Sequence, residues 1–455
     1  MTYKTPGVYR EEIFLKPEAK LPTGIPGFVG FADAITQAKL ENLPSGIKFP
    51  DSLKDRISYD TGRKLLIFTG VMSLDAKNQL LALSSDELFK KATEALFEKS
   101  QASINSPLAL QRQAEFTDQF IPKPGSYLAD AVLGFFENGG IRCFVVLADA
   151  SLDVVTALKN AIASLAPMDD MDLIAVPDVM AYRVPPPDEP TQSKPRLPAL
   201  SNAEIYDVQH FMLRHCATHS GCFALLDALP SVSGDVRVQQ QQLMFGESEP
   251  INGALYYPWL KNNRGRFVPP CGHIAGIYAR SDRTHGVFKA PANEQLGDAL
   301  DLDVTIDNAT QGPLNQEGIN CLRAFKGRGL RVWGARTLSR DRNWRYVNVR
   351  RLFLTLGRWI DRNMLWATLE PNSPRLWVQI QRELTTYLTE LWQAGALQGQ
   401  TPSEAFYIKC DAETNPSETR NADQVITEIG LAPNAPAEFV IVRIIHRAGT
   451  SEISS

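Results

Sequence analysis

Arg142-Cys143-Phe144-Val145-Val146-Leu147, Leu173-Ile174-Ala175-Val176-Pro177 and Cys222-Phe223-Ala224-Leu225-Leu226 are three short, almost unbroken apolar runs. A strand with one wet face alternates polar and apolar residues. A strand apolar on both faces belongs in a parallel sheet covered by helices. The segments between the runs have helical periodicity. Residues 128–137 carry an apolar face and stop at Gly139-Gly140, where glycine supplies a left-handed C-terminal cap. Residues 154–165 and 203–219 are the next two helices, so helix and strand alternate three times from 126 to about 230. That order predicts an α/β domain, with Gly27-Phe28-Val29-Gly30-Phe31 as its first strand.

Outward from this centre the texture changes. Residues 1–26 read as an extended N-terminal arm: Val8, Tyr9 and Arg10 open a strand pattern, and Pro17, Pro22 and Pro26 bar a helix. The middle α/β domain takes 27–50 and 121–315. Between its two parts, 51–120 reads as an inserted surface module. There Leu65-Leu66-Ile67-Phe68-Thr69-Gly70 is a strand, and Ser84 with Glu87 forms a capping box for a helix bearing Phe89, Ala92 and Leu96. The stretch 182–200, with six prolines, is a surface excursion.

Residues 316–455 form a last, α+β unit with an uneven charge distribution. Between 318 and 382 there are 14 Lys or Arg against three acids, and between 401 and 455 four against eight. Pro433 and Pro436 precede a closing strand over 437–447, in which Phe439, Val440, Ile441, Val442, Ile444 and Ile445 are large and apolar. Their full burial is worth about 9–18 kcal/mol before entropy is counted. An unpaired edge of this kind aggregates, so the strand needs a partner in its own body or in a neighbour.

Composition bounds the function. The 455 residues have room for two to four domains, and 44% hydrophobic with 22% charged residues excludes a disordered chain or a disulfide miniprotein. A net charge of −4 is too mild for a general nucleic-acid or membrane binder. No run of 18 uncharged apolar residues predicts a membrane span. The start has no signal-peptide core, and six scattered cysteines read as free thiols from a cytoplasmic site of synthesis and assembly.

Chemistry of sites is sparse. His210, His215, Cys216, His219 and Cys222 lie close in sequence, but an apolar stripe of Ile205, Val208, Phe211 and Met212 on the same helix makes them structural. Gly327-Arg328-Gly329 lacks the third glycine of a dinucleotide fingerprint, and no Gly-x-Ser-x-Gly is present. Asp169-Asp170-Met171-Asp172 reads as a solvated turn rather than a cation site. No catalytic set, metal site or cofactor is expected. In the basic region, Arg alternates with Trp333, Trp344, Trp359 and Trp366, which suits either nucleic acid or a protein partner.

The same region carries a family resemblance. Gly318-Ile319-Asn320, Arg323-Ala324-Phe325-Lys326-Gly327-Arg328-Gly329, Val332-Trp333-Gly334-Ala335-Arg336-Thr337-Leu338 and Trp344-Arg345-Tyr346-Val347-Asn348-Val349-Arg350-Arg351-Leu352 follow in order. With Glu370-Pro371-Asn372, Ala405-Phe406-Tyr407 and Pro436-Ala437-Glu438-Phe439-Val440, this resembles the sheath proteins of contractile tails. Those occur in myophages, R-type bacteriocins and phage-derived contractile injection systems. The similarity is dense over 316–447, moderate over 126–230 and weak over 33–120. It implies a non-enzymatic subunit without cofactors, with a middle domain likened to subtilisin but lacking its catalytic machinery, and extended terminal β-arms. Such subunits form hexameric rings stacked around an inner tube, with baseplate and terminal cap proteins as further partners, and contract to drive the tube through an envelope. The resemblance assigns intersubunit strand exchange to Val8, Tyr9 and Arg10 and to Phe439, Val440, Ile441, Val442, Arg443 and Ile444. Arg351, Arg358 and Arg362, at i, i+7 and i+11 on one helical face, are the candidate contacts to the tube or a neighbour, with pairing to the acidic tail of the same chain as the other reading. No membrane insertion and no nucleic acid are implied. The other reading is a nucleic-acid-binding protein that uses 318–382.

Overall fold

A computed structural model describes residues 21–181, 199–219, 221–230, 232–244, 252–422, 424–436 and 438. The arm positions Val8, Tyr9 and Arg10 and the strand positions 439–444 therefore lie outside the described residues, as does 182–198.

The expected α/β centre is present as an eight-stranded sheet. Its order is Gly329–Trp333, Ile319–Phe325, Gly253–Tyr257, Phe223–Asp227, Leu173–Ala175, Pro26–Gly30, Cys143–Leu147 and Leu108–Leu110. The six inner strands run parallel and each outer strand is antiparallel to its neighbour. Every residue of the four strands Pro26–Gly30, Cys143–Leu147, Phe223–Asp227 and Gly253–Tyr257 is buried, so helices must cover both faces. They do so in two pairs: Leu128–Glu137 against Cys271–His285, and Val154–Ala163 against Asn202–Thr218. The first pair packs backbone to backbone. A Cβ added at Gly272 would overlap the Ala131 carbonyl oxygen, so only glycine fits. Gly139, at φ +96°, ends the 128–137 helix as its sequence suggests, with Gly140 N–H donating to Phe135 O.

The inserted module has its own core and different edges from those expected. A four-stranded antiparallel sheet, in the order Ile57–Asp60, Leu65–Thr69, Ala32–Lys39 and Phe120–Pro122, is backed by helices Leu74–Leu81 and Glu87–Ala102. Leu66, Phe68, Met72, Leu80, Phe89 and Leu96 form a cluster separate from the main core. Ala32–Lys39 lies ahead of residue 51 yet belongs to this sheet, because its alternating burial suits a sheet with one wet face. Conversely, Leu108–Leu110 leaves the module and closes one edge of the main sheet. The helix cap is Asp86, whose carboxylate accepts from Leu88 and Phe89 N–H, and not Ser84.

A second difference concerns the start of the C-terminal unit. Ile319–Phe325 pairs in parallel with Gly253–Tyr257, and its first four residues are buried, so the hairpin 319–333 completes the main sheet. The last unit begins after Leu338 and comprises helices Val347–Asn363 and Pro374–Gln393 and a two-stranded antiparallel sheet, Phe406–Lys409 with Glu428–Leu431. Trp359, Leu376, Ile380 and Leu384 form its small core, with Tyr387 stacked on Trp359 at 4.0 Å.

The separate module core makes a testable statement. Every tryptophan of the chain lies outside 41–115, so tryptophan fluorescence reports on the rest of the protein. Replacing 41–100 with a short Gly/Ser linker should leave its cooperative urea unfolding nearly unchanged. Extending the excision through 115 also removes the Leu108–Leu110 edge strand and should cost about 2–5 kcal/mol, since buried Leu110 leaves a gap against Cys143. Equal losses from both deletions would contradict the boundary.

Candidate assembly site at the roots of the terminal arms

The helix Val347–Asn363 carries Arg350, Arg351, Arg358 and Arg362, and amphipathic spacing places the last three along one side. That side faces the protein's own body. Arg351 is 2% exposed, and its guanidinium donates to Asp282 Oδ1 and Oδ2 at 2.9 and 2.6 Å and to Asp172 Oδ2 at 2.8 Å. The Tyr278 ring lies 4.8 Å from the same guanidinium. Asp172 has two further partners: it accepts from Gly24 N–H at 3.0 Å and Ile25 N–H at 2.7 Å. The backbone at Gly24 and Ile25 is thus held by a carboxylate which is itself held by Arg351.

The electrostatics follow from one cation between two anions. Burial works against the Arg351 charge, but Asp282 and Asp172 outweigh it and hold the guanidinium protonated well above its ordinary range. The surplus negative charge needs relief. Burial pushes Asp282 above the usual carboxylate value, Arg351 opposing it. On Asp172 the two backbone N–H groups supply further positive partial charge.

Arg358 continues the same clamp. It is 6% exposed and donates to Pro22 O at 3.2 Å and Asp169 O at 3.0 Å, so it grips the arm root from the other side. Its aliphatic stem lies on Gly221, where an added Cβ would overlap Arg358 Cδ. Arg362 is 58% exposed and reaches Asp170 at 3.3 Å. Arg351 and Arg358, expected as contacts to the tube or a neighbour, are therefore corrected to internal clamps, because Asp172, Asp282, the Asp169 carbonyl and the arm root already satisfy them. The solvated reading of 169–172 holds for exposed Asp169 and is corrected for Asp172, which is buried.

The opposite end of the helix holds the C-terminal root. Asn348 Nδ2 donates to Asn434 O at 3.0 Å and to Phe288 O at 2.8 Å. Asn434 is fixed in turn, its N–H on Ala396 O at 3.1 Å and its Nδ2 on Gly395 O at 2.7 Å. Glu438 closes the described chain with a forked pair to buried Arg336, one limb of which is Nε to Oε1 at 2.8 Å. Asn348 and Arg358 stand about 15 Å apart along the helix axis. One helix therefore carries both roots. Sequence reasoning missed Asp172, Asp282, Asn348, Arg336 and Glu438 as a set. Three arginines on one helical face and three aspartates within 169–172 were a readable match of opposite charges.

Beside this helix lies a two-stranded sheet. Phe406–Lys409 and Glu428–Leu431 pair only with each other among the described residues, and Tyr407 and Ile426 are exposed on or near them.

The places where an α/β enzyme keeps its chemistry are filled. At the C-terminal ends of the sheet strands, Asp178 accepts from Phe31 N–H, Tyr127 N–H and Ser126 Oγ, and Asp227 accepts from Cys271 N–H at 2.8 Å. Burial pushes Asp178 to about 6 and Asp227 to about 7, and lifts the Cys271 thiol well above its ordinary value, the reverse of a nucleophile's need. His215 and His219 stack at 4.1 Å, with His215 lowered to about 4, chiefly by burial. Among the described residues no three His, Cys, Asp or Glu side chains are grouped to hold a metal ion. Several Arg and Trp side chains of the basic region are engaged internally: Arg350 stacks 4.5 Å from Trp344, Trp366 Nε1 donates to Glu383 at 2.8 Å, and Arg323 reaches Ile306 O at 3.0 Å.

Comparison with known proteins gives the family. Residues 206–338 match the family model for the phage tail sheath protein central domain, and 339–447 match that for the phage tail sheath C-terminal domain. This chain belongs to the tail sheath family. The tail sheath protein of Vibrio phage KVP40 is 26% identical over 200 residues, which are 43% of this chain and 29% of that protein. The chain thus spans under a third of the length of the curated phage relatives it first matches. The solved helical sheath of the anti-feeding prophage in its contracted state is 25% identical with a TM-score of 0.63, covering 98% of this chain and 100% of that one. The PVC sheath complex of an extracellular contractile injection system, also contracted, gives 25% identity and a TM-score of 0.60, over 98% and 99% of the two chains.

Two measurements check this site. Arg351→Ala strands two buried carboxylates and should cost about 3–5 kcal/mol in urea unfolding, against under about 1 kcal/mol for exposed Arg362→Ala. Similar losses for both would refute the clamp. Asp178 and Asp227 have folded-state values of about 6 and about 7, above the ordinary 3.8, so the native state binds more protons in that window. Stability should therefore fall as pH rises from about 4 to 7. Asp227→Asn, which can still accept from Cys271 N–H, should flatten this slope in pH-dependent melting.

Proposed function

We propose that this chain is the subunit of a contractile sheath, polymerising as stacked hexameric rings around an inner tube and contracting to drive that tube through a target envelope. Baseplate and cap proteins are its further partners, and a phage tail or phage tail-like particle is its place. The middle domain serves as a subtilisin-like scaffold without catalytic residues. The observation that carries the reading is that residues 22–25 and Asn434, next to the two terminal segments, are held around the one helix Val347–Asn363.

The physics supports it. A lattice that shortens must keep its subunits connected while the bodies move. β-Augmentation supplies main-chain hydrogen bonds along an open sheet edge, and extended arms supply the reach. The sheet Phe406–Lys409 with Glu428–Leu431 offers such edges. In this reading Val8, Tyr9 and Arg10 of one neighbour and Phe439, Val440, Ile441, Val442, Arg443 and Ile444 of another add to it. The nucleic-acid alternative loses support, because Arg323, Arg336, Arg351 and Arg358 are committed to internal partners.

Truncation after Ala435 removes the closing strand and the Glu438 anchor. Negative-stain microscopy of the wild-type protein should reveal tubes or rings, and the truncated protein should remain folded by circular dichroism without forming either. Normal tubes from the truncated protein would overturn the connector role. A steep salt-dependent affinity of the wild type for DNA or RNA, without tubes, would favour the alternative.

A further inference from the structure

The histidine and cysteine cluster left aside by the sheath reading holds one unexplained contact. Cys216, in the last turn of helix Asn202–Thr218, and Cys222, one residue ahead of strand Phe223–Asp227, bring their Sγ atoms to 2.9 Å. Both residues are buried, at 1% and 3% exposure. Either thiol can donate to the other across this contact, and it is shorter than the distance of about 3.5–4 Å at which carbon atoms pack. A disulfide brings its sulfurs to about 2.05 Å. The observed separation lies between the two. We infer that Cys216 and Cys222 are an oxidisable pair, a modification site that closes to an intrachain disulfide when the protein meets a peroxide.

The geometry prepares the reaction. Helix Asn202–Thr218 ends just before this turn and strand Phe223–Asp227 begins just after it, with Gly221 at φ +81° between them. Burial, with Cys222 alongside, raises the Cys216 thiol well above its ordinary value, so it stays protonated and slow to react. That suits closure under sustained oxidation rather than fast redox signalling.

The chemistry balances with hydrogen peroxide as the oxidant. The sulfur of Cys222, the more exposed residue of the two, attacks one peroxide oxygen. The O–O bond breaks, the departing hydroxide takes the thiol proton as water, and Cys222 becomes a sulfenic acid. The Cys216 sulfur then attacks the sulfenic sulfur and expels hydroxide, which leaves as a second water with the Cys216 proton. Two thiols and one peroxide give one disulfide and two waters, and the peroxide takes the two electrons.

The bond would stiffen the seat of the clamp. Arg358 lies on Gly221, inside the ring that the disulfide closes. Asn252 Nδ2 donates to Cys216 O at 2.7 Å while its Oδ1 accepts from Arg350 Nε at 2.6 Å. This consequence rests on the proposed role of the arm roots, whereas the bond itself does not.

The test is peptide mass spectrometry on the full-length folded protein after prolonged exposure to hydrogen peroxide, quenching, and alkylation in denaturant. Cleavage after Arg214 and Arg237 places both cysteines on one tryptic peptide, 215–237. The expected product is that peptide about 2 Da lighter and unalkylated, restored to two alkylatable thiols by dithiothreitol. The same loss should vanish in Cys222→Ser. Two alkylated thiols after exposure, or oxygen added to Cys222 in place of the mass loss, would overturn the inference. Failure of the sheath reading shows separately, as an absence of tubes in both redox states.

Discussion

A guanidinium enclosed by protein must be neutralised where it stands, and the rest of this structure is arranged around how that is done for Arg351. Moving such a charge out of water costs several kcal/mol that only well-placed anions offset. Asp282 and Asp172 supply them from two different elements of the α/β body, while Arg351 comes from the C-terminal unit. The three positions cannot drift independently. A sequence that placed the helix Val347–Asn363 elsewhere would leave either an unpaired buried cation or two unpaired buried anions. The pairing therefore specifies how the C-terminal unit sits on the main sheet more sharply than its small apolar contacts could.

The same constraint extends to the termini. Asp172 spends its remaining acceptor capacity on Gly24 and Ile25 N–H, and Arg358 takes the carbonyl of Pro22. Thus the N-terminal chain enters the body at a point set by the ion cluster. Asn348, in the first turn of the same helix, sets the other exit through Asn434. The two helix positions that hold them, Asn348 and Arg358, stand about 15 Å apart along the axis.

Much of the fold was legible because burial on both faces leaves an unmistakable run of Val, Ile, Leu and Phe. Cys143–Leu147 and Phe223–Asp227 stand within a residue of where their sequence puts them, and Leu128–Glu137 ends just before the glycine that caps it. What was harder to read depends on pairing across long separations. Ala32–Lys39 carries the same local pattern whichever sheet receives it, and only its register with Leu65–Thr69 decides. Ile319–Phe325 sits in a basic region whose composition belongs with the C-terminal unit, while its first four residues are buried in the main sheet. For the candidate site, helical spacing put Arg351, Arg358 and Arg362 on one side, but spacing does not say which way a face turns. Their partners Asp172, Asp169 and Asp170 lie 179 to 192 residues away in sequence, so neither charge run identified the other.

A structure of the assembled polymer by electron cryomicroscopy tests the central claim most directly. The expected result is that residues 437–447 of one copy add as a strand to the Phe406–Lys409 and Glu428–Leu431 sheet of a neighbour, while Arg351 stays within hydrogen-bonding distance of both Asp172 and Asp282 in its own chain. A closing strand that folds back onto its own sheet, or an Arg351 released from the two aspartates in the polymer, would contradict it.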